Sequence, residues 1–187
     1  MNSLNKNVRR KIALVTGCST GIGEITSLTL ARNGFYTYAT MRNLDKPSSS
    51  NIKEISTKES LPLEVLQLDV TNDESTKNAI EVIKAEKNRI DVLVNNAGYG
   101  LIGSIEEISI KELKAQFETN LFGIVRVTQQ VLPIMRMQKQ GGRIINLSSI
   151  GGILGYPLTA AYSSTKFAVQ GLMESMAYEL EPFGIRL

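Results

Sequence analysis

Tyr162 and Lys166 lie four residues apart in the sequence. On a helix, residues with this separation share one face, so the phenol and the ammonium group would be neighbours. A free tyrosine loses its proton only at about pH 10, and a nearby positive charge stabilises the phenolate. The pair could therefore transfer a proton to or from a bound molecule. Because the same spacing also arises by chance on solvent-facing helices, other residues must support this interpretation.

Two further positions could assist such chemistry. Ser148 and Ser149 follow an apolar run that ends at Leu147. A serine hydroxyl at the end of a strand can donate to a carbonyl oxygen and stabilise developing negative charge, although serines there are often ordinary turn residues. Asn120 lies in a long helical pattern, where asparagine is mildly unfavourable. A functional role would explain its presence, through a local distortion of the helix that holds a water molecule near Lys166.

A glycine-rich segment after the first apolar run predicts a phosphate-binding loop. Its spacing is G-x-x-x-G-x-G, and a helical pattern follows directly. Such a loop lets the backbone approach a pyrophosphate, and the helix N-terminus offers free N–H groups and a positive dipole end. A strand-to-helix turn that binds nothing is the alternative. The predicted cofactor-binding residues of this loop are Gly17, Cys18, Ser19, Thr20, Gly21, Ile22 and Gly23.

The end of the second apolar run distinguishes between the two nicotinamide dinucleotides. A site for NAD normally has an acidic residue there, which binds the ribose 2′-hydroxyl. This chain has Arg42 after Ala39, Thr40 and Met41 instead. A guanidinium group attracts a 2′-phosphate that a carboxylate would repel. We therefore expect NADP(H) rather than NAD(H).

Polar and small residues also follow the third and fourth apolar runs. Asp69 closes the third run, and because Asp73 can cap the next helix, the Asp69 carboxylate is free to accept from an adenine amino group. The carboxyl ends of parallel strands share the sheet edge at which ligands bind. The predicted cofactor site is therefore completed by Asp69, Val70, Asn96, Ala97 and Gly98, together with Tyr162 and Lys166.

The elements that must position these residues alternate along the chain. Compact apolar runs predict strands at Lys11–Thr16, Phe35–Thr40, Leu63–Leu68, Ile90–Val94 and Arg143–Leu147. Helical patterns lie near 21–33, 73–88, 110–137 and 156–182. This order predicts a doubly wound α/β fold of the Rossmann type, a parallel sheet with helices on both faces.

We expect one domain over residues 1–187, with 1–10 as a flexible tail. The segment Asn43–Asn51, with Pro47 and three serines, is predicted as a surface loop. Gly184–Leu187 has the pattern of the start of a sixth strand. A domain that ended there would leave a strand edge unpaired, so we expect the chain to be truncated before the last strands of the sheet.

Composition excludes several kinds of site. The chain has no histidine and one cysteine, which excludes a Ser-His-Asp triad, a histidine-ligated metal, an internal disulfide and a multi-cysteine zinc site. The net charge of +3 comes with scattered basic residues, which argues against a nucleic-acid partner. Ile12–Val15 is too short for a signal peptide or a membrane span. We expect a cytoplasmic protein without a metal.

Taken in series, these residues resemble the short-chain dehydrogenase/reductase family from Lys11 to Leu187. The resemblance rests on the glycine loop after Thr16 and on Asp69, Asn96-Ala97-Gly98, Asn120, Ser149 and Tyr162-x-x-x-Lys166. It implies an oxidoreductase that transfers a hydride between NADP(H) and a carbonyl or secondary alcohol. Tyr162 would be the general acid/base, and Lys166 would bind the nicotinamide ribose and tune the tyrosine. Ser149 would position the carbonyl, and Asn120 would support a proton-relay water.

The resemblance also bears on the choice of serine, on the substrate and on assembly. The thirteen-residue gap to Tyr162 favours Ser149 over Ser148. Segments 38–42 and 96–100 are similar to hydroxysteroid- and retinol-dehydrogenase-like members, which implies a bulky hydrophobic substrate and a phosphate contact from Arg42, with Ser19 as a second contact. Members form dimers or tetramers, so a homo-oligomer is expected. The alternatives are a non-catalytic dinucleotide-binding protein of the same fold and an inactive fragment of such an enzyme.

Overall fold

The computed structural model describes residues 10–45 and 47–187. Within these ranges six parallel strands form one sheet in the order β3-β2-β1-β4-β5-β6. The predicted tail lies, apart from residue 10, outside the described residues. The strands are β1 Ile12–Val15, β2 Tyr36–Met41, β3 Leu63–Gln67, β4 Val92–Asn95, β5 Gly142–Asn146 and β6 Ile185–Arg186.

Helices cover both faces of the sheet, as predicted for a Rossmann-type fold. They are α1 Gly21–Arg32, α2 Pro47–Lys58, α3 Asp73–Lys87, α4 Ile110–Phe117, α5 Gly123–Met137 and α6 Ala160–Leu180. Successive residues of β1 point to opposite faces of the sheet and contact the two layers of helices. Leu14 belongs to a core cluster with residues of α3 and α5, whereas Val15 belongs to a cluster with residues of α1 and α2.

In the sheet, β2 and β3 lie on one side of β1, and β4, β5 and β6 lie on the other side. Strand β1 pairs with β2 on one side and with β4 on the other, and in both pairs the strands are parallel. The loops after β1 and β4 therefore leave the sheet in opposite directions and open a crevice between them. In open α/β sheets this switch point is where ligands bind.

The predicted surface loop at Asn43–Asn51 is wrong over its second half, because α2 begins at Pro47. Proline is well tolerated in the first turn of a helix, where its missing N–H would have no partner. The helix is held by burial of its apolar side, where Ile52 is fully buried in the cluster that contains Leu28 and Val15.

The first turn of α3 and the middle of the predicted helix over 110–137 refine the prediction. Helix α3 is capped by Asn72, whose side chain accepts from the N–H of Ser75, so the assignment of Asp73 as the cap is wrong. The predicted helix over 110–137 is continuous but contains a π-helical turn at Glu118–Phe122.

Strand β6 pairs with the start of β5, as expected for a sixth strand. Among the described residues, no helix is both long and apolar enough to cross a membrane.

Candidate active site

The glycine loop after β1 is shaped by close backbone packing. Gly17 has φ +70°, and a Cβ there would lie 2.7 Å from Cα of Ala97. A Cβ on Gly23 would overlap the Asn96 side-chain amide and the carbonyl oxygen of Gly17. Gly21 differs, because it has φ +62° and a Cβ there would meet nothing within 4 Å. Gly17 and Gly23 therefore pack the loop against the chain after β4, while Gly21 faces open space.

Side chains of the first and fourth strand ends fix this loop in place. The Thr16 hydroxyl accepts from the N–H groups of Asn96 and Ala97, each at 3.1 Å. The Asn96 amide donates in return to the carbonyl oxygens of Thr16 at 2.9 Å and Gly17 at 3.0 Å. Thr16 was not among the predicted site residues. Its place directly before the first glycine of the loop is the signal that could have identified it.

A cleft of about 1040 Å³ opens at the carboxyl edge of the sheet. It brings together most of the predicted cofactor-binding and catalytic residues, namely Gly17, Ser19, Thr20, Gly21, Ile22, Arg42, Asp69, Val70, Asn96, Ala97, Gly98, Tyr162 and Lys166. Four other predicted residues, Cys18, Gly23, Asn120 and Ser149, do not line it. Residues that the sequence reasoning missed include Thr71, Tyr99, Gly100, Glu118 and Thr119. Ser148, the serine that the sequence did not favour, also lines the cleft.

Cys18 lies behind the loop. Its side chain is fully buried, and its thiol donates to the carbonyl oxygen of Val15 at 3.2 Å. Burial raises the pKa of the Cys18 thiol to about 12. The side chain of Cys18 thus contributes to the core, and only the backbone of this residue belongs to the loop.

Arg42 and Asp69 stand at one end of the cleft. The Arg42 side chain is exposed. The backbone carbonyl oxygen of Arg42 accepts from the side-chain amide of Gln67 at 3.2 Å. One oxygen of Asp69 accepts from both the N–H and the hydroxyl of Thr71, at 2.9 and 2.7 Å. That oxygen therefore holds the turn after β3, which the sequence did not predict.

An ion-pair network supports the same end of the cleft. Arg126 on α5 donates to Glu118 at 2.7 Å and to the carbonyl oxygen of Val70 at 2.6 Å, and it also pairs with Asp73. Burial acts to lower the pKa of Arg126, but its bonds to the two carboxylates outweigh this and raise it. Since Glu118 and Val70 line the cleft, Arg126 ties the helix to the turn that forms this wall.

Tyr162 and Lys166 stand at the other end, on α6. A Cβ on Gly100 would lie 3.7 Å from one edge of the Tyr162 ring, and a Cβ on Gly151 would lie 3.3 Å from the opposite edge. The Lys166 ammonium is 5.7 Å from the ring centroid and donates to the carbonyl oxygen of Leu147 at 2.7 Å. Burial lowers the pKa of Lys166. The structure therefore holds a desolvated positive charge beside the tyrosine.

The two serines after β5 have different surroundings. The Ser149 hydroxyl accepts from the N–H of Gly151 at 3.1 Å and begins a short 3-10 turn. Ser148 lines the cleft, and its hydroxyl oxygen is buried with no hydrogen-bond partner among the described residues. The choice of Ser149 over Ser148 stays a prediction.

Asn120 lies at the centre of the π-helical turn, so the expected distortion of the helix is present. Its side chain is fully buried. The amide donates to the carbonyl oxygen of Tyr99 at 2.9 Å and to the hydroxyl of Thr165 at 3.1 Å, and its oxygen accepts from the N–H of Tyr99 at 3.0 Å. Gln116 also donates to the Tyr99 carbonyl, at 3.1 Å. The Asn120 side chain thus joins three segments, and the relay water remains a prediction.

The sheet order, the glycine loop and the cleft define a Rossmann-type nucleotide-binding fold. A family model described as short chain dehydrogenase matches residues 11–187, and the chain belongs to this family. Members of the family are oxidoreductases that bind nicotinamide dinucleotides.

The relatives include a 3-ketodihydrosphingosine reductase of Bacteroides thetaiotaomicron, 43% identical over 95% of this chain and 61% of its own length. Human 17-beta-hydroxysteroid dehydrogenase type 1 is 38% identical over 95% of this chain and 55% of its own. The structure is also similar to a gluconate 5-dehydrogenase of Burkholderia cenocepacia, solved with NADP and tartrate. That structure has a TM-score of 0.86 and 29% identity, over 94% of this chain and 68% of the other. The chain spans between half and two thirds of the length of the curated relatives it matches.

Proposed function

We propose that the protein is an NADP(H)-dependent oxidoreductase that transfers a hydride to or from a carbonyl or secondary-alcohol carbon. The observation that carries this proposal is the composition of one cleft. Tyr162 and Lys166 line it at one end, Arg42 lines it at the other, and Gly21 of the glycine loop also lines it. A dinucleotide that reached from the arginine to the tyrosine would have its reactive end beside a proton-transfer residue.

The residues present fit such a cofactor. Gly21 has a positive φ and open space where a side chain would be, and it begins helix α1. Free N–H groups at a helix N-terminus suit a pyrophosphate. Arg42 would bind a 2′-phosphate, Asp69 and Val70 would flank the adenine, and Lys166 would bind the nicotinamide ribose. When bound, the cofactor would supply the hydride or accept it.

The chain itself would supply the proton. Tyr162 would donate a proton to the oxygen of a carbonyl substrate, or take one from an alcohol in the reverse direction. Lys166 would stabilise the phenolate, because its ammonium is held near the ring by the Leu147 carbonyl oxygen. Ser149 would donate a hydrogen bond to the substrate oxygen. Asn120 would hold the π-helical turn against α6.

The relatives support the reaction class. One is a reductase and another a hydroxysteroid dehydrogenase by name, and the similar gluconate 5-dehydrogenase was solved with NADP. The preference for NADP(H) rests on Arg42. A homo-oligomer and a cytoplasmic location remain predictions from the resemblance and the composition.

The cofactor preference is tested by titrating the full-length protein with NADPH and NADH. We expect NADPH to bind at least about tenfold more tightly, because a guanidinium pairs with the 2′-phosphate. Arg42→Ala should remove most of this difference. Arg143→Ala is the matched control, since Arg143 is exposed on β5 and does not line the cleft. Equal affinities for the two dinucleotides in the unsubstituted protein would contradict the role of Arg42.

The proton-transfer role is tested by Tyr162→Phe. This variant should still bind NADPH and should lose turnover of carbonyl substrates by at least about a hundredfold. Tyr178→Phe on the same helix is the control, because Tyr178 is 80% exposed. Retained activity in Tyr162→Phe would overturn the assignment. Dinucleotide binding without turnover by the unsubstituted protein would instead favour a non-catalytic binding function.

A further inference from the structure

We infer that Arg126 on α5 is a positioning residue that sets how tightly the cleft binds a dinucleotide with a 2′-phosphate. Arg126 does not itself line the cleft. It acts through its neighbours, because it holds the wall formed by Val70 and Glu118 and neutralises the Glu118 carboxylate at the end of the cleft where Arg42 stands. The inference rests on the proposed function, since it assumes that a dinucleotide occupies the cleft.

The guanidinium group of Arg126 joins three elements. Its Nη1 donates to the backbone carbonyl oxygen of Val70 at 2.6 Å, and its Nη2 donates to Glu118 at 2.7 Å. Its Nε donates to Asp73, the first residue of α3. A guanidinium holds its N–H donors in a planar, fixed fork, whereas an ammonium is a compact charge on a flexible stem. The three partners are therefore held at fixed directions from one another, which a lysine would not reproduce.

The π-helical turn places Glu118 and Arg126 on the same face of their helix. The two residues are eight positions apart in the sequence. Two turns of a regular α-helix contain about seven residues, so side chains eight apart would point about 80° away from each other. A π-helical turn holds about one residue more, because its hydrogen bonds span five residues instead of four. The turn at Glu118–Phe122 therefore brings the carboxylate into line with the guanidinium.

The start of α5 packs against the same wall. A Cβ on Gly123 would lie 2.8 Å from Cγ2 of Val70, so the helix backbone lies directly on this side chain. Val70 and Glu118 both line the cleft. Because Arg126 fixes the carbonyl oxygen of one and the carboxylate of the other, its loss would change the shape of the wall that a bound adenine would face.

Charge gives Arg126 a second effect on the bound nucleotide. Among the described residues, the charged groups that line the cleft are Arg42, Asp69 and Glu118 at this end and Lys166 at the other. Two carboxylates thus face one guanidinium, and a 2′-phosphate adds about two negative charges. The Arg126 side chain is 19% exposed and that of Glu118 is 40% exposed, so solvent screens their interaction only in part. Without Arg126, Glu118 would repel the phosphate that Arg42 attracts.

The experiment titrates the full-length protein with NADPH and with NADH at low and high salt. Arg126→Met removes the positive charge and should weaken NADPH binding at least about tenfold and NADH binding by about threefold. The loss for NADPH should shrink in about 1 M salt, where charges interact over only about 3 Å. At saturating NADPH, kcat should change by less than about twofold, because Tyr162 stands at the other end of the cleft.

Two further variants separate charge from shape. Glu118→Gln added to Arg126→Met removes the unpaired carboxylate and should restore NADPH affinity by about threefold. Arg126→Lys keeps the charge but loses the fork, so both dinucleotides should bind about threefold more weakly while the ratio of their affinities stays within about twofold of its original value. Arg32→Met is the matched control, because Arg32 pairs with Glu59 on the surface and does not line the cleft. It should leave both affinities unchanged.

The outcomes distinguish the inference from the proposed function. Unchanged NADPH affinity in Arg126→Met would overturn the inference, and so would an equal loss for both dinucleotides that neither salt nor Glu118→Gln relieves. If Arg126→Met does not fold, a changed affinity ratio in Arg126→Lys or weaker NADPH binding in Glu118→Gln alone would overturn it. Failure of the unsubstituted protein to bind either dinucleotide would overturn the proposed function instead.

Discussion

Replacing Asn120 with alanine should lower the free energy of unfolding by about 4 kcal/mol. The side chain makes three hydrogen bonds from a fully buried position, two to Tyr99 and one to Thr165. Each such bond contributes about 1 kcal/mol to stability. The carbonyl oxygen of Tyr99 keeps its bond from Gln116, but the N–H of Tyr99 loses its acceptor, which costs about a further 1 kcal/mol.

The assay is chemical denaturation of the full-length protein, followed by circular dichroism. Asn78→Ala is the matched control, because Asn78 is exposed on α3, where the same substitution should change stability by less than about 0.5 kcal/mol. A loss below about 1 kcal/mol in Asn120→Ala would refute the reasoning. So would an equal loss in Asn78→Ala, because the cost would then not come from the buried contacts.

Three further predictions concern the loop, the cysteine and alkaline pH. Gly23→Ala should weaken dinucleotide binding at least about tenfold, because the added methyl overlaps the Asn96 amide; an unchanged dissociation constant in a titration would contradict this. Cys18 should not react with an aromatic disulfide reagent at pH 8 until the protein unfolds, since burial raises its pKa to about 12; labelling of the folded protein would contradict its burial. Burial and the Glu64 carboxylate raise the pKa of Tyr36 to about 12, so the unfolded chain loses this proton first and the unfolding free energy should fall between about pH 10 and 12. Tyr36→Phe should reduce that decline in a pH series of denaturation curves. Part of the decline should remain, because burial also raises the pKa of the neighbouring Tyr38.

Strand β1 could be predicted from sequence because it is buried on both faces. Every residue of β1 is buried, so the run is apolar without alternation and stands out locally. Helix α2 could not be predicted in the same way. Pro47 and the serines after it are typical turn residues, and the helix depends on the burial of Ile52 against other elements. The helical conformation of α2 therefore comes from tertiary packing and not from local propensity.

The candidate site was predictable where a motif lies at the end of a strand. Gly21, Arg42 and Tyr162 follow or flank recognisable elements, and the sheet brings them to one edge. The contacts of Asn120 were not predictable, because its partners Tyr99 and Thr165 are 21 and 45 residues away. Their meeting depends on how the segment after β4, the π-helical turn and α6 pack together, which local sequence patterns do not encode.

The bonds between Thr16 and Asn96 join residues that the ribosome adds 80 positions apart. A nascent chain that has exposed only β1 and the glycine loop carries the sequence of the loop without its shape, because Thr16 has no amide from beyond β4 to bind. A dinucleotide bound as proposed would therefore find no template in β1 and its loop alone. It would stabilise a sheet in which β4 already lies beside β1, by mass action on the finished fold.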